Sequence, residues 1–351
     1  KAETVRRLPS VNQDQLKGGV VYHDGQFDDA RLALNIAQTA DEMGACILNY
    51  VKVSGLVKNK AGKITGLNLI DEQSKEKLSI QAKMVVNATG VFADKILQLD
   101  QPGAPKSIQP SQGIHLVLDR SFLGGNDALM IPKTSDGRVL FAVPWQDKLV
   151  VGTTDTLREK AKLEPEALEK EINFVLETAT AYLTKAPTRA DVLSVYAGLR
   201  PLAAPKEGST KTKEISRSHK VIVSDSKLIT ITGGKWTTFR KMGEDTVNYF
   251  NQVTGEKLAE SASANIRYQG YTTNPQDGHW KGYGDDADKI QSLIDENSKL
   301  GELLHPKYPY TRAEVIWSVR NEMAMKVEDI LARRLRVLFL DAKAAKAMAP
   351  K

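Results

Sequence analysis

Cysteine is almost missing from this sequence: Cys46 stands alone among 351 residues. One thiol can close no internal disulfide and build no cysteine-based zinc site. A disulfide-stapled secreted scaffold is therefore excluded, and a reducing compartment is expected. Histidine is scarce too. The five histidines lie far apart, with no His-x-x-x-His pair, which argues against a metal centre. No apolar run approaches the ~18 residues of a membrane span. The opening KAETVRRLPSV has no apolar core of a signal peptide. Also absent are internal repeats, low-complexity tracts and any G-x-G-x-x-G turn.

What is present reads as globular. Hydrophobic residues make up 41% and charged residues 26%, too apolar and too mixed in sign for a disordered chain. At roughly 100–200 residues per domain, the length predicts more than one domain with a sizeable core. The net charge of +6 is uneven: residues 331–351 hold six basic residues and one acid, hence +5 of it. A solvated basic helix face is the expectation there, with Ile330, Leu331, Leu335 and Leu338 turned to the core. No aromatic-rich basic platform accompanies it, so nucleic acid is not an expected partner.

Along the chain three textures alternate. Residues 19–22 read as a strand, Asp28 as an N-cap, and Leu32, Ile36, Ala40 and Met43 as a helix stripe. Gly44 then stops the helix before a short apolar strand at 45–48. Residues 51–57 and 64–70 flank a Lys60-Ala61-Gly62-Lys63 turn and predict a hairpin. A strand at 83–86 runs into Asn87-Ala88-Thr89-Gly90 and a helix with Ala93, Ile96 and Leu97 on one side. Such a junction gathers backbone amides and suits a phosphate, though ordinary βα turns look the same. From 104 to 225, short apolar runs with a single helix near 165–183 predict a mostly antiparallel sheet. Residues 227–240 return to the first texture. Beyond 256 come helices, one opened by a Thr311/Glu314 capping box. The class is α/β (α+β). The expected domains are 1–103 with 226–255, then 104–225, then 256–351.

Four constellations could carry chemistry. Thr232-Gly233-Gly234-Lys235-Trp236-Thr237-Thr238 joins two permissive glycines, a helix N-terminus, a cation and hydroxyls. A plain Gly-Gly helix entry is the equal alternative. Arg200, between apolar residues and before Pro201, suits bidentate binding of phosphate or carboxylate, or else a structural ion pair. Arg217 is expected on a strand or strand edge, where surface charge is common. His115 lies inside a strand, more often a structural position than a catalytic one. Together these cations around one cofactor site point to an anionic substrate, most simply a phosphate ester.

These motifs resemble the FAD-dependent, aerobic-type glycerol-3-phosphate dehydrogenases and their oxidase relatives nearly end to end. Residues 22–32, Val86-Asn87-Ala88-Thr89-Gly90, Val151-Gly152-Thr153-Thr154-Asp155, 196–202, Ser216-Arg217, 232–240 and 310–341 carry the likeness in order. The resemblance implies a doubly wound FAD-binding domain, here partial, an antiparallel β substrate domain and a helical C-terminal domain. It implies oxidation of sn-glycerol 3-phosphate to dihydroxyacetone phosphate, with electrons passed to quinone or oxygen. Arg200, Lys235, Arg217 and His115 would line the substrate site. Gly233, Gly234, Trp236, Thr237 and Thr238 would lie along the flavin, Gly90 at the pyrophosphate and Val53 at the adenine. Peripheral contact with the inner face of the cell membrane, a cytoplasmic location and a homodimer are further expectations. Because the family opens on G-x-G-x-x-G, the chain is expected to be a fragment lacking that FAD-binding segment. The alternatives are a flavoenzyme of the glycine or D-amino-acid oxidase type, or an inactive binding module.

Overall fold

The computed structural model describes residues 1–204 and 218–351. A short helix α1 (Ala2–Arg7) leads to Leu8 and Val11, both buried against the largest sheet. Helix α2 (Asp29–Glu42) starts where Asp28 predicts: the Asp28 carboxylate accepts from the Ala30 and Arg31 amides at 3.1 Å each. It stops at Gly44, whose φ of +92° costs glycine little. Its buried residues are Leu34 and Thr39, whereas Met43 of the expected stripe is 67% exposed. The helix is turned by polar anchors to the C-terminal segments. Gln38 donates to the Asn321 carbonyl at 3.1 Å, and the Gln269 amide donates to the Thr39 hydroxyl at 2.8 Å.

Neither strand expected beside α2 forms. Residues 19–22 and 45–48 make no ladder, and Val20 is 92% exposed. Apolar composition alone does not make a strand; it needs a paired neighbour, and no described strand runs beside either segment. The hairpin is as expected. β1 (Val51–Lys58), β2 (Ile64–Asp71) and β3 (Lys77–Gln81) form an antiparallel meander, with Gly62 at φ +73° in its first turn. β4 (Val85–Asn87) then leads through a 3-10 turn, Gly90–Phe92, into α3 (Ala93–Asp100).

The largest sheet is antiparallel throughout, where its short apolar runs predict a mostly antiparallel one. It comprises β5 (Ile108–Asp119), β6 (Leu129–Ile131), β7 (Leu140–Trp145), β8 (Lys148–Gly152), β9 (Thr156–Leu157) and β10 (Ser194–Ala203). The order is β10-β5-β8-β7-β6, with β9 also on β5. Helix α4 (Glu169–Tyr182) covers one face, its Ile172, Val175 and Ala179 packing on Ile114, Leu116, Leu149 and Val151. Strand β11 (Lys220–Val223) does not join this sheet, although its texture placed it there. It pairs antiparallel with β12 (Leu228–Thr232), which in turn runs parallel to β4. A boundary at residue 225 thus cuts a hairpin, because a tight turn pairs sequence neighbours first. The helices α5 (Phe239–Asn248) and α6 (Phe250–Thr254) follow.

In the last region α7 (Asp286–Glu296), the hairpin β13 (Leu303–His305) and β14 (Tyr308–Thr311), and α8 (Arg312–Asn321) form the helical layer. The Thr311 amide donates to Glu314 Oε2 at 2.7 Å, closing the expected capping box. The basic segment is not one helix. A π-helical turn, Asp329–Arg334, ends at Arg336 with φ +63°, before α9 (Val337–Leu340) and α10 (Ala342–Met348). Ile330, Leu331 and Leu335 are buried as expected. The arginines are not merely solvated: Arg336 reaches Asp29 at 2.9 Å and Asp28 at 3.5 Å, and Arg333 reaches Glu328 at 3.1 Å. Acids at the start of α2 supply the complement. Nearby, Arg31 pairs with Glu322, which is 1% exposed, and stacks 4.6 Å above the Tyr283 ring.

Candidate active site

Successive strand residues face opposite sides, so every second residue of β10 shares one face. Tyr196, Gly198 and Arg200 do so. Across the ladder they stand opposite His115, Gly113 and Ser111 of β5. Gly152 of β8 stands opposite His115 on its other side. The other face of β5 is the α4 core. The face opposite α4 therefore carries a histidine and an arginine separated by a pair of glycines. A Cβ on Gly198 would meet nothing, so that position opens to solvent. A Cβ on Gly113 would stand 2.5 Å from Arg200 Nη2 and from Thr153 Oγ1, so the guanidinium lies across that glycine.

The Arg200 fork is held by the segment after β8. Nη2 donates to Thr153 Oγ1 and Nη1 to the Thr154 carbonyl, each at 3.2 Å. Asp155 Oδ1 lies 3.9 Å away, accepting from the Ser111 hydroxyl, while Arg138 donates to the Asp155 carbonyl at 2.8 Å. The arginine is still 40% exposed, so it can also meet a ligand. Burial, and then repulsion from Arg200, push the His115 imidazole down to about 4. It is therefore neutral at physiological pH. Its ring stacks on Tyr196 at 5.2 Å, and Tyr196 meets the edge of Phe339 from α9 at 5.0 Å.

The second half of the site is a sheet edge. β4 and β12 are parallel neighbours, with Asn87 opposite Thr230, so both strands end on the same edge. Each runs into a left-handed glycine and then a 3-10 turn. Gly90 has φ +57°, Gly233 +72° and Gly234 +75°. Ligands of open α/β sheets bind at such carboxyl ends, where unpaired amides point outward. Buried Asn87 fixes the first turn by donating to the Ala93 carbonyl at 3.0 Å and to Thr230 Oγ1 at 3.3 Å. A Cβ on Gly90 would meet no atom, so its conformation and not crowding calls for glycine, with open space above it. The Gly90–Phe92 turn packs against β5 and β10, which joins this edge to the Arg200 strand.

Among the expected site residues, Arg200 and His115 are thus on one face, and Gly90, Gly233 and Gly234 on one edge. Lys235, Trp236, Thr237 and Thr238 follow that edge and are exposed, Trp236 by 40%, with Thr238 Oγ1 donating to the Lys235 carbonyl at 2.9 Å. Val53 sits on β1 in the separate meander, against which α3 packs. Arg217 lies outside the described residues. Sequence reasoning missed Thr153, Thr154 and Phe339. The glycines Gly113 and Gly152 were the signal, since the Arg200 and His115 side chains lie over them.

The sequence model for FAD dependent oxidoreductases matches residues 1–239. The chain belongs to this family. The model for the C-terminal domain of alpha-glycerophosphate oxidase matches residues 226–351. Among curated relatives, the probable mitochondrial glycerol-3-phosphate dehydrogenase of Caenorhabditis elegans is 36% identical over 100% of this chain and 52% of its own length. The human mitochondrial glycerol-3-phosphate dehydrogenase is 35% identical with the same coverage, 100% and 52%. The chain therefore spans about half the length of the curated relatives it matches. The glycerol-3-phosphate dehydrogenase of Bacillus halodurans, solved in complex with FAD, superposes with a TM-score of 0.79 at 29% identity, covering 99% of this chain and 74% of that one. The expected recognition and fold class are met, including the antiparallel sheet and the helical C-terminal layer.

Proposed function

We propose that the whole protein oxidises glycerol 3-phosphate to dihydroxyacetone phosphate with FAD. The observation that carries this reading is the Arg200–His115 face set against the glycine edge of β4 and β12. The edge fits a flavin dinucleotide: Gly90 leaves open space above a turn, and Gly233 and Gly234 hold left-handed backbone where a Cβ would meet Ser218 and Met242. When bound, the flavin supplies the two-electron acceptor.

Oxidising a secondary alcohol removes a hydride from carbon and a proton from oxygen. Arg200 offers a planar fork to the phosphate oxygens, and Lys235 a movable cation from the edge. Neutral His115 keeps a lone pair for the substrate hydroxyl proton. Burial first, and Arg200 repulsion second, hold the imidazole low; a phosphate dianion beside Arg200 would offset the second, so substrate binding itself would raise the basicity of His115. Quinone as final acceptor, peripheral contact with the inner face of the cell membrane, a cytoplasmic location and a homodimer belong to the same proposal and rest on the family resemblance. No helix among the described residues is long and apolar enough to cross a membrane.

The test is a visible spectrum of the purified holoprotein under anaerobic titration. Glycerol 3-phosphate should bleach the flavin bands, and a soluble quinone should restore them. Bleaching by glycine but not by glycerol 3-phosphate would overturn the reading.

A further inference from the structure

Glu171 is a buried carboxylate, 3% exposed, that the proposed chemistry does not use. It lies on α4, beneath the sheet and opposite the face that carries Arg200. Its oxygens collect three donors. The Leu168 amide reaches Oε2 at 2.9 Å and Gln112 Nε2 reaches Oε2 at 2.7 Å, while Thr154 Oγ1 reaches Oε1 at 3.1 Å. The Leu168 contact is an ordinary capping-box bond. The Thr154 contact is not needed by the helix at all. The same Thr154 hydroxyl accepts from the Ile114 amide at 3.1 Å, fixing it to the central strand. On the upper side the Thr154 carbonyl and Thr153 hydroxyl are the acceptors that hold the Arg200 fork.

We propose that Glu171 is a positioning residue for substrate anion binding, acting through Thr154 on Arg200. The inference rests on the reading of Arg200 as the phosphate-binding fork. A segment of two threonines has no regular ladder of its own to set where its carbonyls point. The carboxylate below fixes the Thr154 rotamer, the rotamer fixes the 153–155 backbone, and the backbone aims the guanidinium. The Leu168 amide and the Gln112 NH2 can only donate, so Oε2 must accept, and the Thr154 hydroxyl donates its proton to Oε1. A glutamine would turn an NH2 toward one of them. An empty position would leave buried donors unpaired.

The test uses the FAD-loaded holoenzyme and reads the dissociation constant of glycerol 3-phosphate by calorimetry, with inorganic phosphate as a second anion, alongside KM, kcat and melting temperature. Glu171→Gln should weaken both anions about tenfold and raise KM alike, with kcat falling less than about threefold. Glu171→Asp should recover part of the affinity. Thr154→Val, which removes only the bridging hydroxyl, should reproduce the loss even where Glu171→Gln fails to fold. In an Arg200→Ala background, the second substitution should cost no further affinity, since its effect passes through the missing guanidinium. A Glu171→Gln or Thr154→Val protein that melts lower but binds both anions normally would overturn the proposal, as would full additivity with Arg200→Ala. If Arg200→Ala alone leaves anion binding intact, the phosphate reading of Arg200 falls instead.

Discussion

His115 should make the protein lose stability as pH falls, and the size of the loss follows from its surroundings. Burial, first, and the Arg200 cation, second, hold the folded-state imidazole at about 4, while Asp29 pulls weakly the other way. The unfolded chain returns it to an ordinary value of about 6.5. Below that value the unfolded state binds the proton and the folded state does not. Stability from this group is therefore fully present above about pH 6.5 and is lost as pH falls towards 4. Between about pH 7.5 and pH 5 the linkage amounts to about 2 kcal/mol, close to that group's full range of about 3 kcal/mol. Urea unfolding of the protein and of His115→Gln at both pH values isolates the term, since other titrating groups cancel in the difference. The gap between the two proteins should shift by about 2 kcal/mol toward the variant at the lower pH. Parallel pH profiles would refute the claim that His115 is folded in its neutral form. Adding Arg200→Met should shrink the shift, because the second cause has been removed.

Other expectations are simpler to state. Arg31→Met leaves Glu322 buried without its partner and should cost about 3–5 kcal/mol in chemical denaturation, whereas a loss below about 1 kcal/mol would mean that Arg334 takes over. Gly113→Ala places a methyl 2.5 Å from the Arg200 and Thr153 side-chain ends, so KM should rise more than the melting temperature falls. Gly233→Ala forces an L-residue to φ +72° with its Cβ 2.9 Å from the Ser218 carbonyl; it should cost about 1–2 kcal/mol or more and release flavin on dilution, seen as recovered flavin fluorescence.

Much of the molecule was legible in the sequence where the signal is local. The Asp28 cap, the Gly62 hairpin, the Thr311/Glu314 box and the Asn87–Gly90 turn each rest on residues within a few positions of one another. The strand face of Arg200 and His115 was half legible. Each residue could be singled out, but only the ladder that sets Tyr196 opposite His115 puts them on one side. Partnership was the part that local pattern could not give. Residues 19–22 and 220–223 have the same apolar texture, yet only the second has a strand beside it. The basic tail misled for the same reason: charge counts mark Arg336 as surface, while Asp28 and Asp29, far away in sequence, bind it.

The parallel pairing of β4 with β12 has a consequence for synthesis. Val85 cannot find its partner Leu228 until the whole antiparallel sheet between them has left the ribosome. At about 5–20 residues per second that wait is on the order of ten seconds. Throughout it the end of β4 and the apolar side of α3, with Ile96 and Leu97, have no β12 to cover them. The antiparallel sheet, built from adjacent hairpins, can close meanwhile on its own contacts. The glycine edge is therefore among the last surfaces to be assembled. A nascent chain halted before residue 228 would carry Arg200 on a finished strand face beside a cofactor edge that does not yet exist.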